Sequence, residues 1–187
     1  MATFTTIHLQ TEKAEETLRL LEAHLRCRLK TGAVVRRRAD GFEEIYGNDF
    51  INSDEPPTLF ALGSGEPGWV TVHYNSFSDC RDLLERLSQG LNCLAVLVMA
   101  QSVSSAYHIT LYRNGTHLRT LEFADGEWVK EFGKPLPFEK EPLGHNIGTA
   151  KEPFYVFEDE DMTEYCKHLG LNPWIDVAEE WTILSVP

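Results

Sequence analysis

Positive charge is scarce in this chain. Lys and Arg number 17 against 29 Asp and Glu, giving a formal net charge of −12. A surface of that sign repels phosphate backbones at long range, which argues against a general nucleic-acid binder. Long apolar runs are also missing. The longest, Leu94 to Ala100, falls far short of the roughly 20 residues needed to span a bilayer. Residues 1–10 lack the basic start and apolar stretch of a secretory signal. These absences point to a soluble, cytoplasmic protein with no membrane segment. The four cysteines, Cys27, Cys80, Cys93 and Cys166, never fall at CxxC spacing, so no zinc knuckle or redox pair is indicated. Reduced and mostly buried thiols are expected.

Motifs that carry chemistry are equally sparse. The seven histidines show no HxH, HExxH or HxxxH spacing, so no metal site is expected. No Gly-x-Ser-x-Gly occurs. The glycine-rich stretch Gly63 to Gly68 lacks the Gly-Lys-Ser/Thr ending of a phosphate loop and runs into a strand rather than a helix. The run Glu158-Asp159-Glu160-Asp161 lacks the spacing of a calcium loop. The expectation is therefore no catalytic residue, no metal and no cofactor.

The architectural signal is strong by comparison. Hydrophobic residues make up 42% of the chain, enough to bury a core without a disulfide or metal staple. Phe4 to Leu9 alternates as a strand. Leu18, Leu21, Leu25 and Leu29 then recur at helical spacing, which predicts a helix from Glu12 to about Arg28 with Thr11 as its N-cap. Val34 and Val35 lead into a second strand, and Phe42 with Ile45-Tyr46 suggests another. Gly47 to Pro57 has loop chemistry. Thr58–Leu62 and Trp69–Tyr74 form a hairpin with a long turn. Ser78 should cap a second helix carrying Leu83, Leu84, Leu87 and Leu91, and the apolar run from Cys93 to Met99 should be a strand buried on both faces. Ala106–Arg113 and Thr116–Phe123 flank Asn114-Gly115, the signature of a tight hairpin turn. In the register of a two-residue turn, Tyr112 faces His117 and Leu111 faces Leu118. Glu127 to Phe132 adds a strand, Glu158 to Leu169 a helix, and Trp181 to Val186 a closing strand.

The pattern predicts an α+β fold: a mixed or mainly antiparallel sheet with two to three helices packed on it, with ferredoxin-like β-α-β units as one arrangement. Residues 1–187 should form a single domain. Within it, 134–153 is a Pro/Gly-rich irregular connection and 154–187 an acidic helix-strand extension. Leu121 to Pro187 holds 15 acidic and 5 basic residues, so most of the net charge sits there. By contrast Arg26, Arg28, Lys30 and Arg36 to Arg38 form a basic island, expected to be solvated or paired with the protein's own acids.

Two functional readings follow. In the first the protein is a non-enzymatic binding or interaction protein, immunity-like or inhibitor-like. Glu158, Asp159, Glu160 and Asp161 meet a basic protein partner, with Tyr155, Phe157, Trp174 and Trp181 as candidate anchors. In the second it is a small-molecule enzyme. The polar hairpin face of His108, Tyr112, His117 and Arg119 walls its site, with His73 as a neighbour.

Overall fold

The computed structural model describes residues 3–30, 32–40, 54–64, 66–101, 104–140, 142–174 and 180–186. The strand expected around Phe42–Tyr46 and most of the loop before Pro57 lie outside these residues. In chain order the elements are β1 (Thr3–Leu9), α1 (Ala14–Leu29), β2 (Val35–Asp40), β3 (Leu59–Gly63), β4 (Val70–Tyr74), α2 (Arg81–Leu91) and β5 (Leu94–Gln101). They continue with β6 (Ala106–Arg113), β7 (Thr116–Ala124), β8 (Glu127–Phe132), β9 (His145–Asn146), β10 (Tyr155–Val156), α3 (Asp159–His168) and β11 (Glu180–Ser185).

Nine strands form one sheet in the order β2-β11-β3-β4-β1-β5-β6-β7-β8, and β9 pairs with β10 separately. Every described pairing is antiparallel. The fold is thus α+β but dominated by strands. α2 joins β4 to β5, which run in the same direction, and β1 fills the space between them antiparallel to both. Ferredoxin-like units are not shown by this sheet. No helix among the described residues is long and apolar enough to cross a membrane.

Period-two alternation sorts side chains onto two faces. On one face, Ile7, Leu9, Val70, Val72 and Leu97 pack against Leu18, Leu21 and Leu25 of α1 and Leu83, Leu84, Leu87 and Leu91 of α2. On the other, Val96, Val98, Ile109, Leu111, Leu121 and Phe123 pack with Phe157 and with Met162, Tyr165 and Cys166 of α3. Central strand β5 is covered on both faces, as its unbroken apolar run requires.

Helix starts differ from expectation. α1 begins at Ala14 with Lys13 at the N-cap, and the Thr11 hydroxyl accepts the Lys13 N–H one turn earlier, at 3.3 Å. α2 begins at Arg81 after Cys80, and Asp79, not Ser78, accepts the Arg81 N–H. α3 has a reciprocal capping box between Glu158 and Asp161.

The β6–β7 hairpin turns on Asn114 (φ 51°) and Gly115 (φ 79°), the positive-φ pair of a type I′ turn. Its tip is pinned to α2, because the Ser88 hydroxyl accepts the Gly115 N–H at 2.8 Å. Tyr112 faces His117 as expected, but Leu111 faces Arg119 rather than Leu118. A β-bulge admits Leu118 as an extra residue, and everything beyond it changes face. Arg119 therefore leaves the polar face of His117 and enters the core beneath α3.

Buried there, the Arg119 side chain is only 2% exposed, and its partner Glu139 1%. Nη2 donates to Glu139 at 2.7 Å and to the half-exposed Glu131 at 3.0 Å. Nη1 donates to the carbonyls of Phe132 and Gly133, and the Tyr165 hydroxyl donates to Glu139 at 2.7 Å. Burial alone would weaken proton affinity here, but the hydrogen bonds to Glu139 and Glu131 outweigh it and keep Arg119 firmly charged. The cluster ties β7, the end of β8, the connection through Glu139 and α3 into one body.

Arg119→Met should lower the unfolding free energy by about 3–5 kcal/mol, because Glu139 is left buried without its cation. Arg119→Met/Glu139→Leu should recover much of that loss. Urea titrations compare them, and a single variant costing less than about 1 kcal/mol would show the cluster to be idle.

Candidate functional site

The outer part of the helix-side face, on β6, β7 and β8, extends beyond α2. His108, Thr110 and Tyr112 project there from β6, His117, Thr120 and Glu122 from β7, and Lys130 and Phe132 from β8, as the register dictates. Four of these form a continuous chain. His108 Nε2 is 2.7 Å from Thr110 Oγ1, Thr110 Oγ1 is 2.9 Å from Thr120 Oγ1, and Thr120 Oγ1 is 2.8 Å from His117 Nε2. The His117 ring is sandwiched between Tyr112 (4.7 Å) and Phe132 (4.2 Å), both within 9° of parallel. Phe132 is 50% exposed. Burial lowers the affinity of both imidazoles for a proton.

A half-open cleft of about 230 Å³ adjoins the His108 end, between this face and the start of α2. Its floor is Leu97 and Met99, Tyr74 and Cys80 line its depth, and Asp79 and Arg81 form an ion pair on its rim. Its sheet wall presents His108, Glu122 and Lys130. His108 Nδ1 lies 3.9 Å from Glu122 Oε2. Burial pushes the Cys80 thiol up to about 11, far from the thiolate that a nucleophile requires.

Of the five side chains expected to share a ligand wall, His108, Tyr112 and His117 lie together, and only His108 lines the cleft. Arg119 is on the opposite face in its ion cluster. His73 is also opposite and fully buried, its ring centroid 5.4 Å from Trp181. The acidic run is largely engaged in shaping the start of α3. Glu158 and Asp161 form the capping box, Asp161 also accepts from His145 Nδ1 at 2.8 Å, and Asp159 accepts from the Tyr107 hydroxyl at 3.0 Å. Glu160 is exposed. The candidate anchors Phe157 and Trp181 are core residues. Instead Ile147 (59% exposed) and Phe154 (51%) stand beside the run. They face each other across the β9–β10 hairpin, where the Ile147 N–H donates to the Phe154 carbonyl at 2.8 Å. In the basic island, Arg36 pairs with Glu15 and Arg26 with Glu22 on α1.

Sequence reasoning missed Glu122 and Lys130. Alternation from the turn sets Glu122 on the face opposite His108, and only the bulge at Leu118 brings the two together. Nothing local marked Ile147 and Phe154. No group of three or more His, Cys, Asp or Glu side chains among the described residues is arranged to hold a metal ion. No family model matches this chain, and no curated protein or solved structure does either.

Three other histidines are interior. His8 lies between the hydroxyls of Thr71 (3.1 Å) and Thr6 (3.0 Å), and burial lowers its pKa to about 3. His24 accepts from Arg86 at 3.0 Å, and burial, aided by Arg86 and Arg28, lowers its pKa to about 4. Burial holds His73 well below its ordinary value. Below pH ~6.5 the unfolded chain binds protons that these sites refuse, so stability is complete above that pH and lost as pH falls toward 3–4. The exposed His145, raised by its bond to Asp161, acts in the opposite sense. The loss should be about 1.4 kcal/mol per pH unit for each buried imidazole, or about 4 kcal/mol at pH 5 from His8 and His24 together. Urea midpoints at pH 7.5 and 5 test this; a flat profile would contradict it.

Proposed function

We propose that the protein acts by binding rather than by catalysis, as an acidic interaction protein whose partner is a basic protein. The observation that carries this reading is the pairing of Ile147 and Phe154, exposed on a hairpin that His145 pins to the acidic start of α3. An exposed apolar pair on a hairpin tied to an acidic helix start has the make-up of a protein-binding patch. The net charge of −12 would steer a basic partner toward it. An inhibitor-like or immunity-like role in the cytoplasm, away from nucleic acid and membrane, fits this chemistry.

The interior supports the same reading. The imidazoles of His8, His24 and His73 and the thiols of Cys80, Cys93 and Cys166 are buried and shifted toward their uncharged forms. One observation favours the enzyme reading, namely His108 in the wall of a cleft. The hydroxyl that His108 Nε2 meets is that of Thr110, which is fully buried and bonded on to Thr120.

A pull-down from native lysate at low salt should enrich a basic protein, and high salt should release it. Phe154→Ser and Glu160→Lys, both at exposed positions, should each weaken capture by about ten-fold or more while leaving the unfolding midpoint in place. Failure to enrich any basic protein, or capture indifferent to both substitutions, would remove this reading.

A further inference from the structure

The hydrogen-bonded chain on the outer sheet face can run in one direction from His108 to His117. With the His117 proton on Nδ1, its Nε2 is free to accept from Thr120 Oγ1. His117 Nε2 then accepts from Thr120, Thr120 accepts from Thr110, and Thr110 accepts from His108 Nε2–H. In that direction the other ring nitrogen of His108, Nδ1, carries a lone pair. It lies 3.9 Å from the Glu122 carboxylate oxygen, so two acceptors stand side by side with no donor between them. A group with at least two N–H bonds and a positive charge completes that arrangement.

Lys130 is the direct cross-strand neighbour of Glu122 and lines the same cleft, yet the two form no ion pair among the described residues. The wall thus offers a cation-accepting pair and a fixed cation one strand apart, above the apolar floor of Leu97 and Met99. A volume of about 230 Å³ is below the roughly 300–1,000 Å³ typical of drug-sized ligands and cofactors. It suits a molecule of a dozen or fewer heavy atoms.

We propose that this cleft binds a free α-amino acid with an apolar side chain. The ammonium bridges Glu122 Oε2 and His108 Nδ1, the carboxylate pairs with Lys130, and the side chain rests on Leu97 and Met99. The site is separate from the hairpin patch assigned to a protein partner and goes beyond that role. The two stand or fall independently, because the test below contains no second protein.

Isothermal titration calorimetry with L-leucine as probe tests the assignment, with L-leucinamide and N-acetyl-L-leucine as analogues lacking one charge each. L-Leucine should bind one-to-one, and each analogue about ten-fold or more weakly. Glu122→Gln should weaken L-leucine by a similar factor. Lys130→Met should do the same while leaving L-leucinamide unaffected, since that analogue has no carboxylate to lose. Both positions are partly exposed, and unchanged thermal midpoints would show that the variants fold. No binding at about 10 mM L-leucine, equal affinity for the analogues, or indifference to both substitutions would each overturn the proposal.

Discussion

A guanidinium taken out of water must keep its carboxylate, and Arg119 and Glu139 are held to that condition beneath α3. The condition has geometric consequences. Glu139 lies on a segment without regular structure, so the pair fixes the path of the connection that leaves β8. Gly133, where that path starts, has φ 84°, and a Cβ there would lie 1.9 Å from the Leu118 carbonyl. The chain therefore turns under the sheet at the bulge itself. Tyr165 then attaches α3 to the same carboxylate. One buried charge pair thus organises the face that the apolar side chains of α3 cover, and leaves the other face of β7 to His117, Thr120 and Glu122.

The two faces of the sheet handle polar groups differently. Beneath α3 and around Trp181, polar groups sit deep, satisfied by near neighbours: His8 by two threonines, Arg119 by two glutamates. Beyond the edge of α2, polar groups are linked in sequence and end at an open cleft. A threonine pair in the middle of the sheet, Thr110 with Thr120, makes that linkage possible, because a hydroxyl can accept from one neighbour and donate to the next. Apolar residues at those two positions would leave the histidines as separate surface groups.

Much of the architecture was legible in the sequence. The hairpin at Asn114-Gly115, the buried strand after Cys93 and the leucine faces of α1 and α2 all follow from period and turn chemistry, and they stand where expected. Misreadings have local causes. Thr11 and Ser78 are typical caps, but the chain takes a further turn before each helix, and a cap cannot be told from a turn by residue type. The bulge at Leu118 leaves no mark in the alternation His117, Leu118, Arg119, yet it decides that Arg119 is core and His117 is surface. The pairing of β11 between β2 and β3 rests on contacts across more than a hundred residues of chain, which no window of sequence reveals. For the same reason the proximity of Lys130 to the start of α2 was out of reach.

That late strand has a consequence for biogenesis. β11 hydrogen-bonds to β2 on one side and to β3 on the other. While the nascent chain is still attached to the ribosome, both ladders remain open until residues 180–185 emerge. β3 is buried along its whole length in the finished structure and presents an apolar template to any passing strand in the meantime. A transcript cut short before Glu180 would leave that vulnerability permanent, producing a polypeptide that chaperones retain and proteases clear even though most of its secondary structure is encoded upstream.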